Sequence, residues 1–170
     1  MTTVRAYAAS DLPRLVELSL AAWAPVFASV EQQLAGSGVF EAQHPDWRAG
    51  QQDAVESACA TLHVRVAQVD DDVTGFVAVG RREDEPIGEI HMVAVDPRYQ
   101  GRGIGRQLTG AALEWIAEQG FATAMVETAG DPGHAPARRL YESAGFTPFP
   151  IVRYFRTVER EAQHHHLRAQ

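Results

Sequence analysis

Between Ile87 and Gly120 the sequence changes period once, and it does so across a run of alternating glycines. Ile87 to Val95 is largely apolar without helical spacing, which reads as the central, more fully buried strand of a sheet. Asp96-Pro97 ends it and Gln100-Gly101-Arg102-Gly103-Ile104-Gly105 follows. Ile104, Leu108, Ala112, Trp115 and Ile116 then recur at the spacing of one helix face. A strand that runs through a glycine turn straight into a helix must lay that helix back on its sheet, so the fold needs layers of both kinds. The same junction lets backbone amides face an anion while the helix dipole adds favourable potential.

The flanking segments complete the layers. Residues 2–7 alternate weakly as a first strand, after which Ser10 or Asp11 caps a helix with Pro13 in its first turn. Pro25 is expected to interrupt that helix, with a second helical pattern from Val26 to Leu34 running to the Gly36-Ser37-Gly38 break. A helix over about 46–60 leads to a hairpin of strands 62–69 and 73–79 around Asp70-Asp71-Asp72. Beyond the glycine helix, residues 122–128 predict a strand, 136–144 a short helix closed by Gly145, and 146–157 a last strand broken by Pro148 and Pro150. The expected fold class is α/β, an α+β mixed sheet that is mostly antiparallel in its first half. At 170 residues and 45% apolar, the chain suits one domain over 1–158 followed by a polar tail, 159–170.

Composition removes several chemistries. All 15 basic residues are Arg, with no Lys and no Asn, which excludes a Schiff-base lysine, a Walker phosphate loop and N-glycosylation. A dinucleotide fingerprint fails because it needs glycine at Arg106 or at Leu108. Cys59 is the single cysteine, so there is no internal disulfide and no Cys-clustered zinc site. Three adjacent histidines, His164 to His166, lack the spacing of a metal site, and no metal is expected. The net charge of −7 argues against nucleic-acid and anionic-membrane partners, no apolar run approaches a membrane helix, and a cytoplasmic location is expected. From Pro97 to Leu113, however, there are three Arg and no acid, leaving 12 Arg against 22 acids elsewhere: a +3 island in a remainder of −10. Such an island suits a phosphate-bearing ligand, and it equally suits a tight turn with a solvated Arg face.

The run from Val93 to Gly105 followed by a helix resembles the acetyl-CoA-binding motif of the Gcn5-related N-acetyltransferase (GNAT) superfamily, Arg/Gln-x-x-Gly-x-Gly/Ala, with Gln100, Gly103 and Gly105 in its defined positions. Ala137 to Phe146, with Leu140-Tyr141 and a Gly145-Phe146 end, is similar to the second hallmark of that family. The resemblance implies a GNAT fold with splayed central strands flanked by helices, and acetyl-CoA as co-substrate. It implies that the backbone of Val93, Ala94 and Val95 meets the pantetheine arm. Gln100, Gly101, Arg102, Gly103, Ile104, Gly105 and Arg106 would form the pyrophosphate loop.

The resemblance also places the catalytic groups. Tyr141 sits where family members carry the general acid for the departing thiolate, a task suited to a phenol of ordinary pKa near 10. Glu89, eleven residues before Gln100, matches a general-base glutamate, with His91 and Glu127 as substitutes. A base is needed because an alkylamine arrives protonated. Strand alternation sets Glu89, His91 and Val93 on one face unless a bulge intervenes. His134 stands where the family commonly has a cofactor-touching Asn, and it can still make one hydrogen bond. Arg138 and Arg139 can reach phosphates or face solvent. Cys59 lies far from both motifs, so direct attack in a ternary complex is expected rather than a cysteine intermediate.

For the acceptor wall, Trp23, Phe27, Phe40 and Trp47 stand with Glu31, Glu41, Asp46 and Asp53 between the first two strands, which suits an amine with an apolar body or, equally, helices packing on a sheet. The expected function is therefore acetyl transfer from acetyl-CoA to a primary amine of a small molecule. A protein amine as acceptor, a longer acyl donor, a non-catalytic acyl-CoA sensor and a homodimer are all left open.

Overall fold

The computed structural model describes residues 1–83 and 85–158, which leaves His164 to His166 and the 159–170 tail outside the described residues. Five strands, β1 (Thr2–Ala6), β2 (His63–Val69), β3 (Asp72–Arg81), β4 (Ile87–Val95) and β5 (Thr123–Val126), lie in sequence order across one sheet. The first four pair antiparallel and β4–β5 pairs parallel. The most buried strand is β3 rather than β4, with every residue from Val73 to Gly80 buried. It alternates side chains to two helical layers. Phe76 and Ala78 join Leu15, Leu18, Val55 and Ala58 of helices α1 (Leu12–Gln33) and α3 (Trp47–Thr61). Val77 and Val79 join Ile104, Leu108, Ala112 and Ile116 of helix α4 (Ile104–Glu118) on the other face.

Two expectations fail for physical reasons, and one short helix is added. Pro25 does not interrupt α1, which runs unbroken for 22 residues. Its ring forfeits one helical hydrogen bond, a cost of about 3 kcal/mol, but the helix is pinned before it by Leu15, Leu18 and Ser19 and beyond it by contacts to the turn at Pro132–His134. A five-residue helix α2 (Val39–Gln43), with buried Val39 and Phe40, follows the glycine break. Residues 146–157 form no strand. Pro148 and Pro150 remove two amide donors, and the neighbour they would need, β5, has only four residues.

The α4 layer sits close to the sheet because Gly88 offers no side chain. A Cβ there would lie 2.5 Å from Ile116 Cγ1. Among the described residues no helix is long and apolar enough to cross a membrane.

Candidate active site

The sheet opens where two strands part. β4 and β5 are in register only from Ile87 opposite Thr123 to Ile90 opposite Val126, while β4 stays paired with β3 as far as Val95. The Asp96 amide donates to the Thr74 carbonyl at 2.9 Å, whereas the Val95 carbonyl accepts from Gln100 Nε2 at 3.0 Å. The main chain therefore faces β3 at Asp96 and away from it at Val95. Alternation along the strand turns Ala94 towards β3 and Val93, with Val95, towards the opening. The expected splay is thus present, with two residues of β4 presenting backbone groups into it.

A bulge corrects the expected alternation. Ala78 lies opposite Met92 but Val79 opposite Ile90, so His91 is an extra residue in β4. Ile90 and Val93 consequently both join the α4 layer, and Met92 and Ala94 the α1–α3 layer. Glu89 therefore does not share a face with Val93. Its carboxylate, 18% exposed, is flanked by Arg82 at 3.6 Å and His91 at 3.9 Å. All three line a cavity of about 520 Å³ together with Thr61, Leu62, Arg81 and Glu83.

At the glycine loop, Gly101 and Gly103 hold φ of 76° and 78°, a left-handed conformation that disfavours side chains, and a Cβ on either would meet nothing within 4 Å. Gly103 is the N-cap of α4 and no side chain caps that end, so its first amides face outward. Gly105 serves packing instead. A Cβ there would lie 3.2 Å from Leu140 Cδ2 of helix α5 (Ala135–Ser143) and 3.8 Å from Val95 Cγ2, so its absence lets α5, α4 and the end of β4 pack together. Ile104 is a buried anchor.

The cationic island is smaller than its count. Arg98 pairs with Asp96, which is only 4% exposed and also held by Arg14 of α1. Arg98 and, against the effect of burial, Arg14 and the Arg98 amide hold the Asp96 carboxyl well below the usual range. Arg102 lies over the Tyr99 ring at 5.1 Å, and Arg106 is exposed.

Tyr141 packs edge-on against Phe146 at 5.9 Å, and burial pushes its phenol up to about 12. Its hydroxyl has no hydrogen-bond partner among the described residues. His134 precedes α5 and bonds through Nδ1 to Asp131, a carboxylate that also accepts from Ser29 Oγ of α1 and from the Gly133 amide. Arg138 donates to the carbonyls of Ala129 and Asp131 at 2.6 and 2.8 Å, so it secures this loop. Of the aromatics in the 12–61 segment, Trp23 packs against the α1–α3 core, and the others pack with His44. Phe27 stacks on Trp47 at 4.6 Å, and His44 touches Phe27 and Phe40.

The split parallel pair, the uncapped glycine-led helix and the helix carrying Tyr141 thus meet at one end of the sheet. The sequence profile of the acetyltransferase (GNAT) family matches residues 20–146. The chain belongs to the GNAT family. A mycothiol acetyltransferase from Thermomonospora curvata is 43% identical over 67 residues, 39% of this chain but 22% of that protein. The chain thus spans about a fifth of the length of that curated relative. Among solved structures, a GNAT-family protein from Desulfovibrio desulfuricans superposes with a TM-score of 0.67 at 24% identity, covering 88% of this chain and 87% of that one. The aminoglycoside N-acetyltransferase AAC(6')-Iy in complex with CoA superposes with a TM-score of 0.61 at 17% identity, covering 92% and 95%.

In this GNAT chain the supports of His134, namely Asp131 and Ser29, escaped the sequence reading. The signal was partial. Asp131-Pro132-Gly133 is a side-chain-capped turn, but nothing local marks Ser29, 102 residues away, as its partner.

Proposed function

We propose that this GNAT chain transfers an acetyl group from acetyl-CoA to a primary amine of a small molecule by direct attack within a ternary complex. The observation that carries the reading is the opening between β4 and β5, where Val93 and Val95 present backbone groups beside the uncapped start of α4. The residues present fit the cofactor: an open left-handed glycine cradle at Gly101 and Gly103, with Arg102 and Arg106 for phosphates. Bound acetyl-CoA supplies a thioester whose carbonyl carbon accepts the amine and whose sulfur departs. The main chain of Val93 and Val95 orients the arm and polarises that carbonyl. Glu89, directly or through water, takes the amine proton. Tyr141, held protonated by its burial, donates to the departing sulfur. His134, fixed by Asp131, offers its remaining ring nitrogen to the arm. The name of the matched curated relatives, mycothiol acetyltransferases, supports a small amine acceptor, and the cavity around Glu89 is of a size for one.

Thiol release across a panel of small amines tests the reading. Tyr141→Phe should lower kcat about 100-fold while calorimetric CoA affinity stays within about twofold. Intact CoA binding with no turnover on any amine would overturn catalysis and leave an acyl-CoA sensor.

A further inference from the structure

The cavity beside Glu89 is not lined as a site for a simple cation. Glu89 stands opposite Met125 of β5, in the pair before β4 and β5 lose register, so it lies at the mouth of the opening. Arg82, one residue past β3, reaches across it: Nη1 is 3.6 Å from the Glu89 carboxylate and 3.3 Å from Met125 Sδ. On the other side His91 Nε2 is 3.9 Å away. Neither group is at hydrogen-bond distance, so the carboxylate keeps its acceptor capacity. Arg82 Nε is fixed by Glu85 at 2.8 Å, while Nη2 bonds to nothing among the described residues. A Cβ on Gly80 would lie 2.7 Å from Leu62 Cδ2 and 3.5 Å from His91 Nε2, so the glycine there lets both side chains close one side of the cavity. The ionised side chains of the lining balance, Arg81 and Arg82 against Glu83 and Glu89.

We propose that the acceptor is an amino acid with a free carboxylate beside its amine, the ammonium meeting Glu89 and the carboxylate meeting Arg82; this rests on the acetyl-transfer reading above. A polyamine gains little from a carboxylate already shared with a guanidinium, and each further positive charge on it meets Arg81 or Arg82. An amino acid carries its two charges on neighbouring carbons, and the cavity presents the opposite pair 3.6 Å apart. The unbonded edge of the guanidinium is the geometry that takes a carboxylate. Long-range charge agrees with the local count. The net of −7 would draw a polycation to the whole surface, whereas a zwitterion has no net charge to be drawn or repelled and is selected at the cavity itself. In the reaction the amine nitrogen bonds to the acetyl carbon as the carbon–sulfur bond breaks, and an N-acetyl amino acid, the CoA thiol and one proton are released. The acceptor carboxylate stays ionised throughout and serves only to hold the amine in place.

Thiol release from acetyl-CoA by the full chain, measured on free amino acids, on their carboxamides and on polyamines, tests this. For the parent, kcat/KM should be about tenfold higher for an amino acid than for its carboxamide, the worth of one charge-assisted contact, even though the carboxamide's amine loses its proton more readily. Polyamines should be poorer still. Arg82→Gln should bring the ratio to within about twofold of one, through KM for the amino acid, and Arg82→Lys should keep part of it because a positive charge remains. The comparison of acceptors on the parent decides without any variant. Carboxamides or polyamines used as well as amino acids overturn the proposal and leave acetyl transfer standing, whereas no thiol release from any acceptor overturns both. A preference that survives unchanged in a folded Arg82→Gln variant also overturns it, since the carboxylate would then be held elsewhere.

Discussion

At Asp96 one carboxylate ties α1, the end of β4 and the glycine loop together through Arg14 and Arg98. Its folded pKa lies below the roughly 3.9 of an unfolded Asp, so the stabilisation is complete above that value and is lost as pH falls through the acid range. Asp96→Asn should cost about 2 kcal/mol at pH 7, less than a fully buried pair because Arg98 is exposed. Urea unfolding at pH 7 and at pH 3 checks it: the difference between parent and variant should shrink at the lower pH. Gly133 makes a steric rather than an electrostatic prediction. A Cβ there would sit 2.5 Å from Ser29 Cβ, so Gly133→Ala should separate α1 from the Asp131 turn at a cost of about 1–3 kcal/mol, seen as a lower Tm.

Among the elements, α1 and α4 show where local rules yield. Pro25 is tolerated because the residues on both sides of it are held by partners elsewhere in the chain. Pro25→Ala should therefore stabilise the protein by about 1 kcal/mol or more, since the helix regains a hydrogen bond without changing course. Differential scanning calorimetry should show a higher Tm, and a lower one would mean that the ring itself packs. Gly88→Ala should act in the opposite direction, driving Ile116 and α4 off β4 and lowering stability by about 2 kcal/mol. The bulge at His91 belongs to this scale as well. An insertion in the β3–β4 register leaves no mark in composition, yet it decides which face Glu89 occupies.

For the whole molecule, the strand-loop-helix unit from Ile87 to Glu118 was readable because its signals are local: a period change, glycines that need left-handed φ, and one apolar helix face. The hairpin of β2 and β3 and the helix carrying Tyr141 were legible for the same reason. The length of α1, the absence of pairing over residues 146–157, the spending of Arg98 on Asp96 and the bracing of His134 by Asp131 and Ser29 were not. Each depends on a partner that the neighbouring residues do not reveal, whether a distant side chain or a sheet edge that stops short. The sequence by itself determined the layered class and the position of an anion-facing loop, because backbone conformation and amphipathic period are properties of adjacent residues. Only the tertiary structure decided that β5 ends at Val126 while β4 runs on to Val95. That opening arises from the relative lengths of two strands, a quantity settled by packing on both faces of the sheet.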